Sequence, residues 1–233
     1  DLGMIYQAQQ RFLEQIEKTK AVPALSKIPT FPDLPKDGKI ADYLKAGQNV
    51  LVQVVKEPIS TKGPRLSAEI SIAGRNLVLV PFSDKVSVSV KIESHEERAR
   101  LKQLILSMKP KNFSVIVRTS AEGKRASELD QELSRLLRRW EESVQKLPKI
   151  TKTPKIVYEE SSRALGILRD TFNPSFQSIY VNDKAYYEEI REYVQQIAPG
   201  REDVVRLYTG NIPIFDEKNV RSEEHTSELQ SHY

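Results

Sequence analysis

Hydrophobic positions in this chain alternate between two periods, and the changes of period lay out its elements. Residues 4 to 18 set Ile5, Phe12, Leu13 and Ile16 among polar positions, a partial helical spacing that predicts a short helix. Pro23, Pro29, Pro32 and Pro35 then fall within thirteen residues. Prolines at that density exclude helix and central strand, so an exposed loop, closed by Lys36, Asp37 and Gly38, is expected. The runs 48–56 (QNVLVQVVK) and 66–72 (LSAEISI) flank the turn-rich Ser60-Thr61-Lys62-Gly63-Pro64 and predict a hairpin with a long basic loop. Further strands are expected at 76–82 (NLVLVPF), after Gly74, and at 86–92 (VSVSVKI), where the period is two.

Helical spacing returns at Leu101, Leu104, Ile105 and Met108, is broken by Pro110 and Asn112, and gives way to a buried-type strand at 114–118 (SVIVR). The longest helix is expected from 127 to 146, where Leu129, Leu133, Leu136, Leu137, Trp140, Val144 and Leu147 mark one face. Arg135, Arg138, Arg139, Glu141 and Glu142 mark the opposite face as solvated. The segment 146–155 (KLPKITKTPK), with four lysines and two prolines, has the composition of a linker. Beyond it the pattern predicts a strand at 155–158, a helix at 161–170 and a short strand at 178–181. A helix capped by Asn182 and carrying Tyr186, Tyr187, Ile190, Tyr193, Val194 and Ile197 follows, with a last strand at 204–208. This alternation argues for a small α/β layer.

Composition narrows the class. At 39% hydrophobic and 29% charged residues, the 233-residue chain has a soluble composition, with no apolar run of membrane-spanning length. The absence of cysteine excludes disulfides, thiolate metal sites and a cysteine nucleophile, and a cytoplasmic setting is expected. The tail, Arg221 to Tyr233, reads RSEEHTSELQSHY, the wording of a translated sequencing adapter, and is set aside as non-native. It carries net −2 of the chain's +4, so residues 1–220 carry +6, a modest excess compatible with a nucleic-acid partner. It also holds His225 and His232, which leaves His95 alone in the remainder. The chain is thus expected to be an internal piece of something longer.

Candidate chemistry concentrates where a strand meets a helix. Arg118 and Thr119 end a buried-type strand and precede the polar turn Ser120 to Lys124. A planar fork of donors, a hydroxyl and turn N–H groups together suit a phosphate. An ordinary strand-to-helix turn with an exposed arginine has the same sequence, and Gly-x4-Gly-Lys is absent. Gly74, between two strands, permits a close backbone approach to a ligand or a plain bulge. Lys62 and Arg65 put two cations at the hairpin tip, suited to a nucleic-acid backbone or simply to solubility. Asp130, Asp170, Asp183 and Asp203 form no paired-carboxylate motif for Mg²⁺ and are read as caps or surface charges, so no metal site and no catalytic residue is expected.

Three stretches, GQNVLVQVVKEPISTKGPRLSAEISIAGRNLVLVPF (47–82), VIVRTSAEGK (115–124) and VVRLYTGNIPIF (204–215), resemble in order the ribonuclease E/G family of bacterial endoribonucleases, with wording nearest its Bacteroidetes branch. The resemblance implies an α+β multidomain fragment. Residues 1–69 would be part of an OB-like S1 RNA-binding domain, 70–150 an α/β sensor of the RNA 5′ monophosphate, and 151–220 a partial RNase-H-like layer. It places Arg118 and Thr119 on the family's phosphate-binding pair, Gly74 and Val78 on the positions whose backbone closes that pocket, and Lys62 on an S1 lysine that contacts RNA. Val90 stands where a basic residue is frequent. The implied parent is a homo-oligomer that hydrolyses single-stranded RNA with Mg²⁺ and prefers 5′-monophosphorylated ends. Its catalytic residues would lie beyond Phe215, so this chain is expected to bind no metal and to cut nothing alone. The alternative is a non-catalytic RNA-binding adaptor built from similar modules, and the sequence downstream of Val220 separates the two.

Overall fold

Tyr6, Phe12 and Ile16 share the buried face of helix α1 (Tyr6–Thr19) in the computed structural model, which describes residues 6–29, 31, 39–160 and 162–220. Expectations resting on Ile5, on Pro32 and Pro35 to Gly38, on Ser161 and on the tail from Arg221 fall outside the described residues. The chain divides into two units, Asp1–Glu159 and Glu160–Tyr233. Both are mixed α/β, and the described residues form six α-helices and three small sheets.

The expected hairpin is present as β1 (Gln53–Lys56) and β2 (Arg65–Ser67), antiparallel, with Val54 opposite Leu66. It is shorter than its apolar run, and the strand expected over 66–72 is two strands in different sheets. Side chains explain the break by capturing the backbone between them. Gln9 Nε2 donates to the Ala68 carbonyl at 3.0 Å, while Gln53 accepts from Ser71 N at 2.8 Å and donates to Ser71 O at 3.3 Å. The chain then enters the main sheet as β3 (Ile72–Ala73).

The main sheet continues with β4 (Leu77–Pro81) and β5 (Val86–Val88), crosses through α2 (His95–Met108) to β6 (Phe113–Val117), and leads into α3 (Ala126–Val144). Its order is β3-β4-β6-β5, with β5 parallel to β6 and the other pairs antiparallel. Alternation decides the inward face: Leu77, Leu79, Val115 and Val117 are fully buried, whereas Ile116 between the last two is exposed. The strand expected over 86–92 stops at Val88, after which the chain turns and Ile92 plugs the core. Ser94 caps α2 by accepting from Glu97 N, with Glu96 and Glu97 in the first turn, where carboxylates suit the helix dipole.

The leucine stripe of α3 lies on this sheet, and α1 closes the same core. Phe12 meets Phe82 edge-on at 5.3 Å between ring centroids and Trp140 at 6.2 Å, and Trp140 also stands edge-on to Phe82 and Phe113. Asn112, at φ +65°, fastens the segment after α1 by donating its amide to the carbonyls of Leu25 (2.7 Å) and Ile28 (2.8 Å). Buried residues from Ala8 to Ile28 and from Ile72 to Val144 therefore share one core.

The second unit holds α4 (Arg163–Thr171), β7 (Ile179–Val181), α5 (Lys184–Ile197), β8 (Val205–Leu207) and α6 (Ile214–Glu217). Strands β7 and β8 are parallel and joined through α5, over a core of Leu165, Leu168, Phe172, Ile190, Val194 and Val205. Two expectations change. Residues 155–158 form no strand, Ile156 being exposed, and the α5 cap is Asp183 rather than Asn182, its Oδ1 accepting from Tyr186 N at 2.9 Å. Among the described residues no helix is long and apolar enough to cross a membrane.

Candidate functional site

At the end of β6 the chain bends, and Arg118 fastens the bend to the β3–β4 turn from one side. Its backbone N–H donates to the Asn76 carbonyl at 2.8 Å and its Nη1 to the Gly74 carbonyl at 3.0 Å. Thr119 follows, exposed, at the start of a one-turn 3₁₀ helix over Thr119–Ala121, and Ser120 Oγ donates to the Arg75 carbonyl at 2.7 Å. Val78, half-buried on β4, faces Ala73 on one side and Ile116 on the other. Arg118, Thr119 and Gly74 are thus gathered at one end of the sheet, with Val78 one step along β4.

The turn is held from its other side by Glu132 of α3, which is 5% exposed. Its carboxylate accepts from Asn76 N (2.8 Å), Asn76 Nδ2 (2.6 Å) and Leu77 N (3.2 Å). Gly74 N donates to Leu77 O at 2.8 Å and closes the turn. Gly74 is required here for space: an added Cβ would lie 2.3 Å from Glu132 Oε1 and 2.9 Å from the Leu77 carbonyl.

A second clamp holds the loop after Thr119. Glu97 makes a bidentate pair with Arg100, 2.7 Å to both Nε and Nη2, and accepts from Gly123 N at 2.9 Å, while Arg100 Nη2 also donates to the Lys124 carbonyl at 3.1 Å. The Arg100 hydrogen bonds, and then the Gly123 N–H, pull the Glu97 carboxyl down to about 2. Gly123 itself sits at φ +70°, where a side chain is disfavoured. The result is an arginine fork, a hydroxyl and a rigid backbone corner, a donor set suited to a phosphate monoester.

Lys62 and Arg65 lie elsewhere. Both are exposed on the β1–β2 hairpin, Lys62 in a turn bonded to Ile59 and Arg65 opposite Lys56. Val90 is 87% exposed beyond β5. Among the described residues no three His, Asp or Glu side chains converge to hold a metal ion. Sequence reasoning missed Glu132 and the Glu97–Arg100 clamp. For Glu132 a signal existed, a carboxylate in register with Leu129, Leu133 and Leu136 on the buried stripe.

The model of the Ribonuclease E/G family matches residues 71–231, a span that contains the whole Arg118 corner and runs into the tail set aside on sequence. This chain belongs to the ribonuclease E/G family. It is 38% identical over 183 residues to ribonuclease G of Haemophilus influenzae, a match that covers 78% of this chain and 37% of that protein. To ribonuclease G of Escherichia coli K12 it is 35% identical over 184 residues, 79% of this chain and 37% of the relative. To ribonuclease E of a Nostoc species it is 35% identical over 162 residues, 70% and 23% respectively. The chain thus spans well under half the length of these relatives.

Proposed function

We propose that this chain is the RNA-binding, 5′-end-sensing part of an endoribonuclease that processes and degrades single-stranded RNA in the bacterial cytoplasm. The observation that carries the reading is the Arg118 corner, where the guanidinium is aimed by the Gly74 carbonyl beside the exposed Thr119. A terminal phosphate monoester offers two negative charges and three acceptor oxygens to such a corner, while a 5′ hydroxyl offers neither. A triphosphate would bring its terminal group to the wrong place, which is how the pocket discriminates. In this reading β1–β2, with Lys62 and Arg65, belongs to an S1-type portion that follows the RNA backbone through charge. The second unit is the RNase-H-like portion. In the whole enzyme, a homo-oligomer, Mg²⁺ serves hydrolysis. No step through that ion is assigned to this chain, whose described acidic residues do not converge on a metal site.

The test compares a short single-stranded RNA bearing a 5′ monophosphate with the same RNA bearing a 5′ hydroxyl, on the full chain. Hydrogen bonds to a charged group contribute about 1.5–3 kcal/mol, so the monophosphate should bind about tenfold more tightly or better, and Arg118→Ala should bring the two to near parity. Equal binding of both RNAs by the unaltered protein would remove the reading. The purified chain should also leave labelled RNA intact with Mg²⁺ present, and reproducible cutting that titrates with protein would show that it contains a catalytic centre after all.

A further inference from the structure

We propose that Glu132 is the positioning residue of this pocket: its buried carboxylate fixes the Gly74–Leu77 turn and through it aims Arg118. The inference rests on the reading of Arg118 as the phosphate ligand. The turn is gripped on two sides by opposite charges with a division of labour. Its carbonyls, those of Gly74 and Asn76, accept from Arg118, and its N–H groups, those of Asn76 and Leu77, donate to Glu132. The Arg118 grip is not sufficient alone, because Arg118 can follow a displaced carbonyl while Glu132 is anchored in the α3 stripe between Leu129 and Leu136.

Chemistry explains why a carboxylate stands in that stripe. It is acceptor-only, with about four lone-pair sites, and so takes three donors at once in a place closed to water. For packing alone, a further leucine would fill the α3 stripe without burying a charge. The Gly74 backbone also approaches to where a Cβ would touch Glu132 Oε1, so the carboxylate sets the depth of the turn as well as its bonds. Asn76 Oδ1 is buried and has no partner. This gives an amide in place of the carboxylate a way to work: in a Glu132→Gln variant the amide oxygen would keep both backbone N–H groups, while the amide nitrogen donates to Asn76 Oδ1 after the asparagine amide turns over.

The experiment measures Kd for 5′-monophosphate and 5′-hydroxyl forms of one single-stranded RNA, with melting temperature alongside, for the full chain and its Arg118→Ala, Glu132→Leu and Glu132→Gln variants. Glu132→Leu should lose most of the monophosphate preference, a change of about tenfold, with hydroxyl-RNA binding held constant, and Glu132→Gln should keep the preference within about threefold. A purely structural role would instead lower the melting temperature and weaken both RNAs alike, and that result overturns the proposal. If Glu132→Leu does not fold, Asn76→Asp takes its place. It sets two carboxylates against each other and should lose the preference, whereas Asn76→Asp with Glu132→Gln should regain part of it; a preference untouched by Asn76→Asp also overturns the proposal. A preference insensitive to Arg118→Ala sinks the pocket reading and this inference together. One abolished by Arg118→Ala but intact in Glu132→Leu sinks the inference alone.

Discussion

Replacing Phe12 by alanine tests whether α1 is part of the unit built on the four-stranded sheet. The ring is fully buried, edge-on to Phe82 and tilted against Trp140, so its removal deletes apolar burial and two ring contacts and leaves a cavity walled by rigid aromatic groups. Buried Phe→Ala changes cost about 3–5 kcal/mol, and the upper half of that range is expected because large rings relax poorly into a void. For a unit of this size each kcal/mol moves the melting temperature by about 2–4 °C, so the shift should be about 8–20 °C. Trp140 is the single tryptophan of the chain and lies in the cluster, so its fluorescence reports urea unfolding of this core directly. The midpoint should fall with little change in slope. Val90→Ala, at an 87% exposed position, serves as the control and should stay within about 0.5 kcal/mol. A Phe12→Ala loss below about 1 kcal/mol would show that α1 does not dock on the sheet in solution, and the sheet with α2 and α3 would then hold its core without it.

Two further outcomes follow from the geometry of the corner. Gly74→Ala forces a Cβ to 2.3 Å from a carboxylate held by three donors, and should cost about 2–4 kcal/mol in chemical denaturation, much of which disappears when Glu132 is also made alanine; additive effects would contradict the contact. Glu97, pulled from 4.5 to about 2, contributes stability that is fully present above pH 4.5 and is lost as pH falls toward 2. Glu97→Gln should therefore flatten stability across that window and, because Arg100 is half open to solvent, lower it at neutral pH by only about 1 kcal/mol. An unchanged acid limb in Glu97→Gln would show that the loop clamp does not form.

Repeating patterns carry the elements of this fold, and single polar contacts decide where they end. Stripes such as Leu129, Leu133, Leu136 and Trp140, or the alternation through Leu77 and Leu79, repeat often enough to be read along the chain. The division of 66–72 into two sheets is not legible, because it depends on Gln9 and Gln53 reaching Ala68 and Ser71 from distant positions. The same holds for the sharing of one core by α1 and the sheet. A partial helical spacing says that Phe12 must be covered, and nothing near it in sequence says that Trp140 and Phe82 will do so.

The corner itself is half legible, and the missing half is instructive. Arg118 and Thr119 stand out because a strand ending in donors before a helix is a recognisable local arrangement, and the resemblance implies a phosphate-binding role for them. Gly74 reads in sequence as a close approach or a bulge, yet its reason is the Glu132 carboxylate, 58 positions away along the chain. Glu132 is legible only as an inconsistency, a carboxylate in step with leucines. A charged residue on the buried stripe of an amphipathic helix must find donors or shift the helix. A turn containing Gly and Asn ahead of a buried strand is where backbone donors are available. Those two anomalies, a charge where a leucine fits and a turn whose N–H groups lack strand partners, answer each other in the structure, where the Glu132 carboxylate accepts from Asn76 N and Leu77 N and joins α3 to the β3–β4 turn.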